Sequence, residues 1–106
     1  KIDIPCNMEL KDVKDGVATF GGGRATLAFA KGKVTEVTDN SVTVQINDEV
    51  SVRYGDLASV FVAVGDDIAQ NQLLGKYDQT FTATILQKGE AVTDVVASET
   101  EITWKI

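Results

Sequence analysis

The chain has 106 residues, 43% apolar and 25% charged, with a formal net charge of -6. That length suits one domain around one core, and the composition is that of an ordinary globular protein. The acidic balance, with its basic residues scattered, excludes a nucleic-acid binder, which needs a basic footprint on phosphate.

The chain starts at Lys1-Ile2-Asp3 without a Met, which reads as a trimmed or processed chain. No signal peptide is visible, and no apolar run approaches the ~20 residues of a membrane span. Residues 1–14 predict an extended lead-in, because Pro5 breaks any helix. Cys6 is the only cysteine, so no intrachain disulfide can form. It admits three readings: a small semi-buried residue, a reactive thiol, or an intermolecular bridge. Histidine is absent, which removes a Cys–His dyad along with the commonest metal ligand and general base.

Asp15-Gly16 is a turn signal, and Val17 to Phe20 reads as a short strand. Gly21-Gly22-Gly23 lacks the Gly-Lys-Ser/Thr helix start of a phosphate loop, so it reads as a flexible turn between strands. Thr26 to Ala30 is an apolar-rich strand, closed by Lys31-Gly32. Val34 and Val37 precede an Asp39-Asn40 hairpin turn. Val42, Val44 and Ile46 alternate with Thr43, Gln45 and Asn47, the mark of a half-buried strand. After the turn at Asn47-Asp48-Glu49, Val50, Val52 and Tyr54 alternate with Ser51 and Arg53. Val60 to Val64 is a continuous β-prone run that ends at Gly65-Asp66-Asp67.

Ile68 and Leu73-Leu74 are expected to pack inward. Phe81, Ala83 and Ile85 alternate with threonines, and Lys88-Gly89 turns the chain again. Ala91 to Val96 gives a further strand or turn, and Ile102, Trp104 and Ile106 a last strand. Trp104 reads as a core or sheet-face residue, with an interface anchor as the alternative. No long stretch keeps a 3.6-residue period. The prediction is one all-β domain over residues 1–106, a compact sandwich or barrel of short antiparallel strands. The acidic pairs Asp48-Glu49 and Asp66-Asp67 lack the spacing of a calcium loop and read as solvated turns.

Four phrases in order then resemble the lysostaphin/LytM-type zinc peptidases, the M23 family, over about residues 15–93. Gly23-Arg24-Ala25-Thr26-Leu27-Ala28-Phe29-Ala30-Lys31-Gly32-Lys33-Val34 is similar to the family's Gly-Thr-Pro-Val-Tyr-Ala-Ala-Ala-Asp-Gly-Lys-Val. Tyr54-Gly55-Asp56-Leu57 stands where the family has Tyr-x-His-Leu. Val64-Gly65-Asp66-Asp67-Ile68 and Gln72-Leu73-Leu74-Gly75 follow its Gly-Asp-x-Val and Gly-Gln-x-Ile-Gly run. Thr80-Phe81-Thr82 replaces His-x-His. The resemblance implies a duplicated hybrid-motif β fold.

The family holds zinc with a His-x-x-x-Asp phrase and the second His of His-x-His. Here the first phrase falls near Lys14 and Ala18, the second becomes Thr80 and Thr82, and the assisting His becomes Asp56. Hydroxyls are poor zinc ligands, so the resemblance implies no cofactor, no activated water and no peptidase activity. It implies instead a degenerate domain of the stage II sporulation protein Q or amidase-activator type. Such a domain would sit outside the cytoplasmic membrane, in a full-length protein with a membrane anchor, and engage a sporulation partner or a cell-wall amidase.

The main alternative is a peptidoglycan or glycan module using the former cleft, with Tyr54, Asp56, Thr80 and Thr82 as ligand-binding residues. Against it stands a plain reading of these threonines as the solvent face of a strand. An enzyme working through carboxylates would have only Asp56 and Asp66 to use, both read as turn residues. A lipoyl-like hairpin would need a modifiable Lys where the chain has Asn71-Gln72.

Overall fold

The computed structural model describes residues 2–5 and 8–105. The readings made for Cys6, and for Ile106 in the last strand, lie outside the described residues. In chain order the strands are β1 (Ile2–Asp3), β2 (Glu9–Lys14), β3 (Val17–Gly21), β4 (Ala25–Leu27), β5 (Gly32–Val37), β6 (Val42–Gln45) and β7 (Val50–Gly55). They continue with β8 (Ser59–Val60), β9 (Asp67–Ile68), β10 (Leu73–Lys76), β11 (Phe81–Gln87), β12 (Glu90–Ala91), β13 (Val95–Ala97) and β14 (Glu101–Trp104). The protein is all-β, and every strand pair is antiparallel.

The main sheet runs β2-β3-β11-β7-β6-β5-β9, with β12 paired to β11. Two three-stranded sheets accompany it, β4-β10-β8 and β1-β14-β13. Turn chemistry sets the hairpins. Asp15-Gly16 and Lys88-Gly89 take positive φ at both central positions, the geometry that matches the twist of a two-residue hairpin. At the β6–β7 turn the Asn47 side-chain oxygen accepts the N–H groups of Glu49 and Val50, each at 2.9 Å.

Alternation decides which face is buried. Ala18 and Phe20 on β3, Phe81, Ala83 and Ile85 on β11, and Val52 and Tyr54 on β7 all point inward. Phe29, just after β4, and Tyr77, just after β10, meet them from the β4-β10-β8 side. Phe20 stacks on Phe81 at 5.6 Å, Phe29 meets Tyr54 edge-on at 5.1 Å, and Tyr77 lies 5.0 Å from Phe81. Each such ring pair adds about 0.5–1.5 kcal/mol beyond the area it buries. This aromatic cluster joins the main sheet to the β4-β10-β8 sheet.

Three expectations change. The lead-in contains strands, β1 and β2, because β14 and β3 offer them edges. The Thr26–Ala30 strand is only Ala25–Leu27, since Phe29 turns into the core. The Val60–Val64 run pairs only at Ser59–Val60, because the chain leaves β10 after the Phe61 N–H reaches the Leu74 carbonyl at 2.9 Å. Trp104 is half-buried at the edge of the core, as a sheet-face residue would be.

Candidate functional site

On the resemblance, the zinc positions fall on β2, β3 and β11, and the assisting position, Asp56, just after β7. Thr82 on β11 pairs with Thr19 on one side and Gly55 on the other. Its neighbours Phe81 and Ala83 are buried, so Thr82 faces outward, and Thr19, between buried Ala18 and Phe20, faces outward beside it. A Cβ at Gly55 would lie 2.7 Å from the Thr82 hydroxyl, so that hydroxyl occupies the space left open by the missing side chain. Asp56 follows immediately, exposed and at φ 60°, where it ends β7. Asp56, Asp78, Gln79 and Thr80 line an open depression of about 400 Å³.

Two expected positions move. Ala18 is fully buried and pairs with Ala83, so it cannot reach the outer face. Thr19 takes the place beside Thr82. The strand register, which the spacing of a phrase does not supply, makes the difference. Lys14 lies exposed at the end of β2. Tyr54 is the second change: it is fully buried rather than open to a ligand in the cleft. Its hydroxyl accepts the Phe29 N–H at 3.0 Å. Burial holds the phenol well above its usual pKa, with the Phe29 N–H pulling weakly the other way. Its place in the alternation Val50, Val52, Tyr54 carried that signal.

The structure therefore brings Asp56 and Thr80 to one depression and Thr82 to the strand pair that leads into it, and withdraws Tyr54. Asp78 and Gln79 join them without any motif that marks them in the sequence. Asp66 serves its own turn, its carboxylate accepting the Ala63 N–H at 2.9 Å. The groups at or beside the zinc positions are the hydroxyls of Thr19 and Thr82 with the Lys14 ammonium or, for a phrase that ends at Thr19, the Asp15 carboxylate. Zinc takes thiolate, imidazole or carboxylate, and two hydroxyls with at most one carboxylate do not fit it. Among the described residues no three His, Cys, Asp or Glu side chains are grouped to hold a metal. A depression of about 710 Å³ lies away from these positions, around Phe29, Lys31, Ile46, Ile68 and Gln70.

No family model and no curated protein matches the sequence. Solved structures do. CbpA from L. salivarius REN is 27% identical with a TM-score of 0.60, over 68% of this chain and 55% of that one. A chain of the SpoIIQ–SpoIIIAH pore-forming complex is 25% identical with a TM-score of 0.63, over 70% and 58%. The catalytic domain of the prophage-encoded M23 protein EnpA from Enterococcus faecalis is 12% identical with a TM-score of 0.72, over 85% and 91%. The chain spans just over half the length of the first two. The fold is that of the M23 peptidases. A LytM-like fold with no metal-binding group among the described residues is consistent with a degenerate domain.

Proposed function

We propose that the domain is a non-catalytic protein-interaction module of a bacterial cell-envelope or sporulation protein. The observation that carries this is the intact fold with Thr19 and Thr82 side by side where a zinc site would be. A second support is the 25% identity to a chain of the SpoIIQ–SpoIIIAH complex, in which SpoIIQ is a non-catalytic LytM-like protein. The partner is then another envelope protein, a sporulation partner or a cell-wall amidase. The location is extracytoplasmic, in a full-length protein that carries a membrane anchor. Immobilised domain should retain one such protein from envelope extracts in a stoichiometric complex. Retention of nothing, together with cleavage of stem peptides, would overturn the proposal.

The polar depression at Asp56 favours one second reading, a site for peptidoglycan fragments. Asp56, Asp78, Gln79 and Thr80 offer carboxylate, amide and hydroxyl groups to a sugar or peptide. Thr82 would extend this surface toward Thr19. Muropeptide binding by calorimetry, lost in Asp56→Ala, would favour this reading. Absence of heat with the intact protein rejects it.

A further inference from the structure

We propose that Phe61–Val64 is a strand-addition site for an extended apolar segment of a different protein, one bearing a lysine or arginine next to its apolar residues. The proposal rests on the interaction-module reading and names the surface and the chemistry of the partner. Val60 to Val64 is a continuous β-prone run, yet only its first residue lies in a strand. Beyond Phe61, no described residue hydrogen-bonds the backbone of Val62 or Val64. Backbone N–H and C=O groups take partners wherever they are buried, so a covered edge here needs a partner strand. Phe61, Val64 and Leu73 are 49%, 63% and 43% exposed, and Leu73 adjoins Leu74, whose carbonyl holds Phe61.

This segment is exposed but not loose. The Phe61 N–H pins its start to β10. Its end is fixed where Gly65 donates to the Val34 carbonyl at 2.9 Å and Asp66 accepts from the Val34 N–H at 3.0 Å. The Ala63–Asp66 turn closes on itself through the Asp66 carboxylate. Val64 lies in that turn and the Ala63 N–H is taken by it, so Val62 presents the free main-chain groups of the edge, and a segment pinned at both ends loses little entropy when a strand adds to it. The β2 edge shows the contrast. It carries Glu9, Lys11, Asp12 and Lys14 and a register shift between Leu10 and Asp12, the usual defences against pairing. Phe61–Val64 has no such defence.

Charge and size select the occupant. Asp66 and Asp67 close the segment, among the described residues only Asp67 has a cation near it (Lys33 Nζ at 3.8 Å), and the whole chain carries a net charge of -6, so a cation is favoured next to the apolar residues. A second copy would bring the same negative charge. Three half-exposed side chains also fall short of the ~800 Å² per partner of a stable interface between two globular bodies. A linear segment bound through its main chain does not need that area.

The test is photo-crosslinking of the full-length protein in its native cells, with a photoreactive phenylalanine analogue replacing Phe61 in one strain and Thr82 in another. The expected result is a crosslink from position 61 to one protein, mapped by mass spectrometry to an extended apolar segment with a neighbouring Lys or Arg. Val62→Pro removes an N–H that no described residue uses, and should cut the yield about tenfold, as loss of a main-chain bond of ~1.4 kcal/mol would. Val64→Lys, at an exposed position, removes an apolar contact and repels the partner's cation, and should do the same if the proline variant fails to fold. A crosslink from position 82 alone leaves the interaction module standing and overturns this edge. A crosslink from position 61 to another copy of the chain overturns the occupant. No crosslink from either position overturns both readings.

Discussion

Tyr54→Phe removes one oxygen and keeps the ring against Phe29. The Tyr54 hydroxyl accepts the Phe29 N–H at 3.0 Å, and both residues are fully buried. Water cannot replace the lost acceptor, so the variant leaves a buried donor unpaired at a cost of about 1–3 kcal/mol. In a domain of this size each kcal/mol lowers Tm by roughly 4–8 °C. The same pair sets a pH dependence. Burial raises the native phenol above its ordinary pKa, while the unfolded phenol ionises near pH ~10. Above that pH the unfolded chain releases a proton that the native state retains, so stability falls as pH rises. The Tyr54 contribution is complete below pH ~10 and is lost above it. Urea denaturation of both proteins at neutral pH and above pH ~10 measures both effects. The wild type should be the more stable at neutral pH, and the gap should narrow in alkali. Equal stability at neutral pH, or the same loss in alkali for both proteins, would refute the buried-acceptor account and return Tyr54 to the surface.

Further substitutions test the packing around the site. Thr26 is fully buried with no hydrogen-bond partner for its hydroxyl among the described residues. Thr26→Val should therefore raise stability by about 1 kcal/mol, read as a higher Tm, and a lower Tm would show an unrecognised partner. A Cβ at Gly75 would meet the Ser59 carbonyl oxygen, because β8 and β10 approach closely there. Gly75→Ala should lower stability by about 1–3 kcal/mol and increase amide exchange along β8, and an unchanged midpoint would contradict the close approach. Asp56 is exposed and makes no ion pair with the described residues, but it sits at φ 60°, where Asp and Asn are tolerated and Ala is strained, so Asp56→Ala should cost about 1 kcal/mol and Asp56→Asn almost nothing. Asp56→Asn is therefore the stability control for Asp56→Ala in muropeptide binding.

What the sequence made legible was periodicity. Val42 and Val44, Val50 to Tyr54, and Phe81 to Ile85 show their buried faces by alternation, and the two-residue turns at Asp15-Gly16 and Lys88-Gly89 follow from their composition. The order of phrases carried the fold, because turn residues punctuate strands at spacings that survive loss of the site. Strand register was not legible. The phrase reaches only to the neighbourhood of Ala18; which β3 residue stands beside Thr82 depends on hydrogen bonds between β3 and β11, and that register gives Thr19. Tyr54 shows a different limit. Its phrase placed it in a cleft, while its own alternation placed it in the core, and packing followed the alternation. For Val60–Val64 the composition favours a strand, but a strand also needs a neighbour, and β10 supplies one only as far as Phe61.

The central claim is that the M23 fold persists here without the chemistry of its zinc. The most direct measurement loads the purified protein with zinc, removes the excess, and determines bound metal alongside hydrolysis of pentaglycine and stem peptides. With Thr19, Thr82 and either Lys14 or Asp15 as the available groups, the account predicts no stoichiometric zinc and no hydrolysis. One zinc retained per chain together with peptide cleavage would contradict it.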